Sequence, residues 1–152
     1  MGTVGIHVRL GSHFPTASNF EKNPKNQCHK VTEDLWLTNG ESQLSTPDHT
    51  NDHIEVDVSG TYMVMVSISA ANSAGVGHKI VVDVYKNNGA TAFANLHAHR
   101  TLAAGTDTGS MSLSGLIAVD LGDTLELWAD TDSAIDRTVI FEDVTFSIRQ
   151  IV

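Results

Sequence analysis

The sequence is poor in cysteine, in charge and in long apolar runs. A single cysteine, Cys28, stands among 152 residues, which excludes an internal disulfide framework and a thiolate zinc cluster. No apolar run approaches the roughly 20 residues that a membrane-spanning helix needs. Residues 1–30 have no continuous apolar core of the kind found in a signal peptide. We therefore expect neither a membrane partner nor an export signal.

Basic residues are scarce and unevenly placed. Nine Lys and Arg face 18 Asp and Glu, which gives a net charge of −9 with histidine neutral and disfavours a nucleic-acid partner. Residues 1–30 carry four basic residues and one acidic residue, whereas residues 31–152 carry five basic and 17 acidic residues. Two interpretations stay open: a solvated acidic surface, or a basic arm that docks on an acidic neighbour in its own body or another subunit.

Neutral polar residues and glycine take the place of charged residues in this sequence, and they favour strands and turns over helices. The chain has 13 Ser, 15 Thr, 9 Asn and 12 Gly, and its 41% of hydrophobic residues suffice for one domain with a core. No segment keeps a helical period over three turns. Alternating or apolar segments predict strands at residues 54–58, 61–70, 78–86, 92–99, 110–119, 124–130 and 138–151. Polar segments predict loops at residues 46–53, 71–77, 100–109 and 131–137.

These segments predict an all-β fold. Two further short strands are predicted at residues 4–10 and 35–37, which gives about eight to ten antiparallel strands. This number of strands with frequent turns indicates a jelly-roll sandwich. We place this domain at residues 31–152 and an extended N-terminal arm at residues 1–30, which holds Pro15 and Pro24. In the last strand, the apolar phase shifts near Glu142, which predicts a bulge.

Several strands are apolar on both faces, which indicates contact with a second protein. Tyr85 opposes Val84 along one predicted strand, and Leu116 opposes Ile117 along another. A sandwich buries one face of each sheet, so a second apolar face predicts an oligomer.

Five runs in order resemble the trimeric jelly-roll superfamily of complement-type globular heads and tumour necrosis factor ligands. The runs are Gly60–Val64, Val84–Gly89, Ser112–Gly115, Val119–Trp128 and Val144–Ile148. The resemblance implies a sandwich of about ten strands in a tight homotrimer, with the last strand beside the three-fold axis. We expect no collagen stalk, membrane anchor or export signal. In this form the sequence resembles the capsid decoration (cement) proteins and tail-associated heads of tailed bacteriophages.

We therefore predict a virion structural protein: a homotrimeric capsid decoration protein that binds the major capsid protein and stabilises the head. Its localisation would be the capsid surface, after synthesis in the host cytoplasm. The alternative is a trimeric receptor- or glycan-binding head of a tail fibre or adhesin. The predicted trimer contacts are Tyr62, Met63, Met65, Phe146 and Ile148, and the predicted capsid-docking residues of the arm are Arg9, Phe14, Phe20, Lys22 and Lys25.

No residue pattern predicts an enzyme, a cofactor or a metal centre. His97 and His99 would share one strand face and can in principle share a metal, but two ligands are too few for a catalytic site. An acidic loop with His49 and His53 is either a surface cation site or a solvated loop, and the same alternatives hold for the aspartates around Asp132. We expect no catalysis, because no nucleophile motif or complete ligand set is present.

Overall fold

The computed structural model describes the backbone of residues 4–9, 18–20, 29–30, 44–48, 50–72, 76–131 and 137–151, and side chains from residue 44 onward except 137–139. Its strands are β1 (Val4–Arg9), β2 (Ser18–Phe20), β3 (His29–Lys30), β4 (Ser45–Asp48), β5 (His53–Val56), β6 (Gly60–Asn72), β7 (His78–Lys86), β8 (Thr91–Leu102), β9 (Thr108–Val119), β10 (Thr124–Thr131) and β11 (Arg137–Gln150). The all-β prediction is confirmed. In the described part of the chain, no helix has the length and hydropathy of a membrane span.

The strands form two antiparallel sheets. Sheet A has the order β1-β11-β6-β9, with β2 also paired to β11, and sheet B has the order β4-β5-β10-β7-β8, with β3 also paired to β10. From β5 onward, only the β7–β8 connection stays within one sheet. This repeated crossing is the jelly-roll topology that the turn spacing predicts.

The core lies between the sheets and follows from the alternation of side chains along each strand. In β6 the odd-numbered residues face outward, whereas Tyr62, Val64, Val66 and Ile68 are buried. The largest fully buried side chains are Tyr62, Phe141, Phe146, Ile54, Ile68, Ile80, Leu96, Leu102, Leu125, Leu127 and Ile148. Burial of each such side chain stabilises the fold by about 1.5–3 kcal/mol.

Tyr62 shows how a buried polar atom is satisfied in this core. Its hydroxyl lies 2.7 Å from the Val58 carbonyl oxygen and 3.1 Å from that of Leu44, where it can donate its one proton. Burial, with a smaller contribution from Asp57, raises the pKa of the Tyr62 hydroxyl. The hydroxyl therefore stays protonated and ties the start of β6 to the preceding loop.

Strand positions agree with prediction in the body, with corrections at the ends. The predicted strand 78–86 coincides with β7, and the predicted bulge is confirmed by a register shift between Phe141 and Asp143. The loop prediction for 46–53 is wrong in part, because β4 covers Ser45–Asp48 despite Pro47. Strand β4 lies at the edge of its sheet, where a missing N–H is tolerated. Strand β8 extends three residues beyond its predicted end, to Leu102.

Three short strands in the predicted arm pair with the sandwich. Strands β1 and β2 pair with β11, and β3 pairs with β10. In sheet A, β11 therefore lies between β1 and β6. The predicted short strand within residues 1–10 is present, and the division of the chain at residue 30 stays a prediction. The predicted strand at 35–37 lies outside the described residues.

Candidate functional site

The outward side chains of β6 and β9 form a face without charge, which we call the neutral face. Its members are Thr61, Met63, Met65, Ser67, Ser69 and Ala71 of β6 and Thr108, Ser110, Ser112, Ser114, Leu116 and Ala118 of β9. Met63 lies directly opposite Leu116 in the register. Leu116 is 50% exposed and Met65 is 38% exposed. The face is therefore made of small polar side chains, with an apolar patch toward the end that holds Thr61 and Ala118.

Strand β11, which lies next to the neutral face, carries charged side chains. In β11 the outward positions include Glu142 and Arg149, and the Ser69 hydroxyl donates to Glu142 Oε2 at 3.0 Å. The outer face of sheet B is also charged, with Lys79, Asp83 and Asp130 among its members. The neutral face is thus a local feature of two neighbouring strands in a strongly acidic chain.

The predicted trimer residues divide between the interior and the neutral face. Tyr62, Phe146 and Ile148 are at most 1% exposed within their own chain, so no surface of theirs is left for a second copy. The prediction is therefore corrected for these three residues, which point toward the sandwich interior. Met63 and Met65 point outward on the neutral face, where their role as trimer contacts stays a prediction.

The predicted arm residues stay predictions. Arg9 and Phe20 end β1 and β2, whose backbone pairs with β11. Phe14, Lys22 and Lys25 lie outside the described residues.

An imidazole–carboxylate pair lies on the outer face of sheet B. His97 on β8 is opposite Asp83 on β7, and His97 Nδ1 lies 2.7 Å from Asp83 Oδ1. The side chain of His97 is 46% exposed and that of Asp83 is 17% exposed. His99 follows on the same face, with its ring centroid 5.9 Å from that of His97. The predicted placement of the two histidines on one strand face is therefore confirmed.

The same sheet face carries an aromatic pair over a buried acid. Tyr85 and Trp128 have ring centroids 5.3 Å apart and planes inclined at 45°. Glu126 is 1% exposed. Its carboxylate accepts hydrogen bonds from Asn88 N (2.8 Å), Gly89 N (3.0 Å), Thr124 Oγ1 (2.9 Å) and Trp128 Nε1 (3.3 Å). Glu126 thus holds both the β7–β8 turn and the indole ring in place.

Asp123 stabilises the same end of the sandwich. Its carboxylate accepts from Lys86 Nζ (2.9 Å), Asn87 Nδ2 (2.9 Å) and the Asp120 amide (2.8 Å). Burial raises the pKa of Asp123, but these hydrogen bonds and the Lys86 charge outweigh it, so the pKa lies below its usual value. The carboxylate therefore acts as a charged structural group at neutral pH.

The acidic loop near His53 uses its aspartate to hold a turn. Asp48 accepts from the Thr50 amide (2.9 Å), the Asn51 amide (3.0 Å) and Asn51 Nδ2 (2.7 Å). The Asn51 side chain is the main cause that lowers the pKa of Asp48. These bonds belong to a hydrogen-bonded turn and favour the loop interpretation over a cation site. His49 and Asp132 lie outside the described residues.

An open groove runs between the edges of the two sheets. It has a volume of about 680 Å³ and is lined by residues 98–101 of β8 and 110–112 of β9. Arg100 extends across it toward the Ser110 carbonyl oxygen at 3.5 Å, and Asn95 Nδ2 donates to the Leu116 carbonyl oxygen at 2.9 Å. Within the described residues β9 is an edge strand, and these side chains cover part of its free edge, which limits uncontrolled strand pairing.

Sequence reasoning missed the partners that lie across strands. The pairing of Asp83 with His97 and the role of Glu126 depend on strand register, which a period of two does not specify. A signal for Glu126 was present, because a lone acid between Leu125 and Leu127 interrupts an apolar run.

Comparison with known proteins identifies a fold and no sequence family. No protein family and no curated relative matches the sequence. The structure is similar to that of Eiger TNF from S. frugiperda, with a TM-score of 0.65 and 14% sequence identity over 99% of this chain and 92% of that chain. The fold of this chain is therefore a TNF-like jelly roll.

Proposed function

We propose that the chain is a homotrimeric virion structural protein that decorates a capsid and stabilises it by binding the major capsid protein. The observation that carries the trimer is the neutral face. A free strand face of a chain with net charge −9 would be expected to share that charge, whereas protein interfaces are depleted in charge at their centre. The TNF-like fold supports the same assembly.

The chemistry of the neutral face suits close contact between copies. Serine, threonine and alanine side chains are short, so a neighbouring subunit can approach the sheet. Met65 adds an adaptable side chain. Burial of the exposed half of Leu116 contributes on the order of 1 kcal/mol per subunit. In a closed trimer, each subunit buries the same patch.

The trimer is tested by mass measurement on one matched pair of variants. Light scattering after gel filtration is expected to give three times the chain mass of 16.3 kDa for the wild type. Leu116→Glu places a charge in the proposed interface and is expected to give monomers. Leu121→Glu changes a leucine that is 69% exposed in the β9–β10 turn, and this control is expected to stay trimeric. A monomeric wild type, or a trimeric Leu116→Glu variant, would contradict the proposal.

The capsid part of the proposal is supported by the contrast between the basic leader and the acidic body. A cation-rich arm can bind acidic surfaces of neighbouring capsid subunits while the trimer bridges them. Particles that lack the protein are expected to lose their contents sooner on heating and osmotic shock, and added trimer should restore resistance. Equal resistance with and without the protein would contradict the cementing role.

A trimeric glycan-binding head is a second candidate, favoured by the aromatic pair. Tyr85 and Trp128 are both partly exposed, and Asp83 is the cross-strand neighbour of Trp128. Aromatic faces beside carboxylates suit sugars, which present C–H faces and hydroxyl donors together. Binding of purified protein to host cells, weakened by Tyr85→Ala without a change in melting temperature, would favour this candidate over the capsid role.

A further inference from the structure

We propose that Asp83, His97 and His99 form a binding site for a divalent transition-metal ion of the Cu²⁺, Ni²⁺ and Zn²⁺ class. His97 and His99 would be the ligands, and Asp83 would be a positioning residue. The site lies on the outer face of sheet B, and the inference depends neither on the trimer nor on the capsid role.

The contact with Asp83 determines which nitrogen of His97 is available. An ionised carboxylate only accepts hydrogen bonds, so His97 Nδ1, 2.7 Å from Asp83 Oδ1, must carry the proton. In the neutral ring, Nε2 then has the free lone pair that a metal needs. A carboxylate behind a histidine is the usual arrangement around metal-binding imidazoles, where it fixes the ring and raises its basicity.

His99 lies where a second ligand is needed. Residues two apart in a strand project from the same face, and both histidines are exposed to solvent. Their ring centroids are 5.9 Å apart with planes inclined at 50°. Two imidazoles on one ion, with metal–nitrogen bonds of about 2.0–2.1 Å, place their centroids roughly 5–6 Å apart. The separation of the two rings is therefore within the range that a shared ion requires.

The carboxylates near the two histidines favour a cation, against the opposing charge of Lys79 on the next row of the same face. Asp83 is beside His97, and Asp130 lies on the same row as His99, with Val81 between them. No cluster of three or more ligating side chains is found among the described residues, so the chain supplies two ligands. Water or a group from another molecule would fill the remaining positions. Such an open site binds exchangeably, and Cu²⁺ should bind most tightly in the divalent series.

The site is tested by titrating the full chain with Cu²⁺ alone, using calorimetry at neutral pH. Other histidines also bind copper, so the measured quantity is the difference between wild type and the double variant H97A/H99A. The wild type is expected to bind one additional equivalent, whose electron paramagnetic resonance spectrum shows two nitrogen ligands. Equal stoichiometry and affinity in both proteins would overturn the proposal.

Single variants assign the roles within the site. His99→Ala is expected to lower the affinity at least tenfold, and Asp83→Ala about 10–100-fold. His53→Ala, which changes a histidine on β5, is the control and should leave this equivalent unchanged. Melting temperatures without metal should match across the variants. If Asp83→Ala keeps the full affinity while His99→Ala loses it, the positioning role of Asp83 is wrong.

Acid provides a further check, because both imidazoles must be neutral to bind the ion. Because protons compete with the ion for the ring nitrogens, the affinity for the additional equivalent is expected to fall as the pH is lowered from 7 to 5. An unchanged affinity for this equivalent at pH 5 would exclude the two histidines as its ligands.

Discussion

At the scale of single residues, two buried acids stabilise the end of the sandwich formed by the β7–β8 and β9–β10 turns. Glu126 receives four hydrogen bonds and Asp123 receives three. Three of the donors are backbone amides of turn residues, those of Asn88, Gly89 and Asp120. Each carboxylate therefore substitutes for the pairing that the turns lack.

Replacement of Glu126 by glutamine is expected to destabilise the fold by about 2–3 kcal/mol, because charge-assisted hydrogen bonds are lost. An amide has one acceptor oxygen, so its NH₂ group would face N–H or O–H donors such as the Gly89 amide. Chemical denaturation measures the free energy of unfolding. Glu55→Gln, an exposed change on a neighbouring strand, is the control and should cost less than about 0.5 kcal/mol.

Asp123 makes part of the stability depend on pH. Its pKa is lowered in the folded state, so its contribution is present in full above the unfolded value of about 3.9 and is lost as the pH falls from that value through the lower folded pKa. Asp123→Asn is expected to reduce the free energy of unfolding at pH 7 by about 1–3 kcal/mol. The difference from wild type should narrow between pH 5 and pH 3. A constant difference over that range would contradict the linkage.

At the scale of elements, the β7–β8 hairpin depends on three consecutive left-handed residues. Asn87, Asn88 and Gly89 have φ values of 56°, 58° and 78°. Asparagine tolerates this region and glycine adopts it freely. Gly89 has a second constraint, because a Cβ atom there would lie 2.7 Å from the Trp128 ring. The turn and the indole ring are therefore packed as one unit.

Gly89→Ala is expected to cost more than Gly105→Ala, which is a matched control. Gly105 has φ of 89° and open space around its Cβ position, so alanine there incurs only the backbone cost of about 1 kcal/mol. The excess at Gly89 should be on the order of 1–3 kcal/mol, since the crowded ring must shift. An equal decrease in the free energy of unfolding for both variants would show that the Trp128 ring shifts without an energetic cost.

The sequence predicted elements well and contacts poorly, for a physical reason. Alternation between Tyr62 and Ile68 specifies which face is buried, because that face is apolar throughout, whereas the other face changes from methionine to serine at Ser67. It does not specify which strand lies alongside, so the Asp83–His97 pair could not be foreseen from the residues. Phe146 and Ile148 are predicted trimer contacts that the structure instead buries within their own chain. Alternation predicts that a side chain is buried, but it does not distinguish the interior of a sandwich from an interface.

At the scale of the whole molecule, the two outer faces of the sandwich are suited to different tasks. Sheet A presents the neutral face, whose apolar patch includes Met63 and Leu116. Sheet B presents the carboxylates and histidines around Asp83. A trimer built on the neutral face would leave the charged face toward solvent, free for ions or other molecules. The proposed metal site and the proposed trimer are thus compatible.

If the neutral face is the interface, folding is linked to association, and stability must depend on concentration. For a trimer that unfolds to three chains, a tenfold rise in concentration should raise the melting temperature by about 3 °C, from the average unfolding entropy of a chain of this size. Calorimetry over two decades of concentration measures this slope. Leu116→Glu should abolish it, because a monomer has no association equilibrium, whereas Leu121→Glu should retain it. A flat wild-type profile would mean that the neutral face contributes nothing to stability and would remove the main support for the trimer.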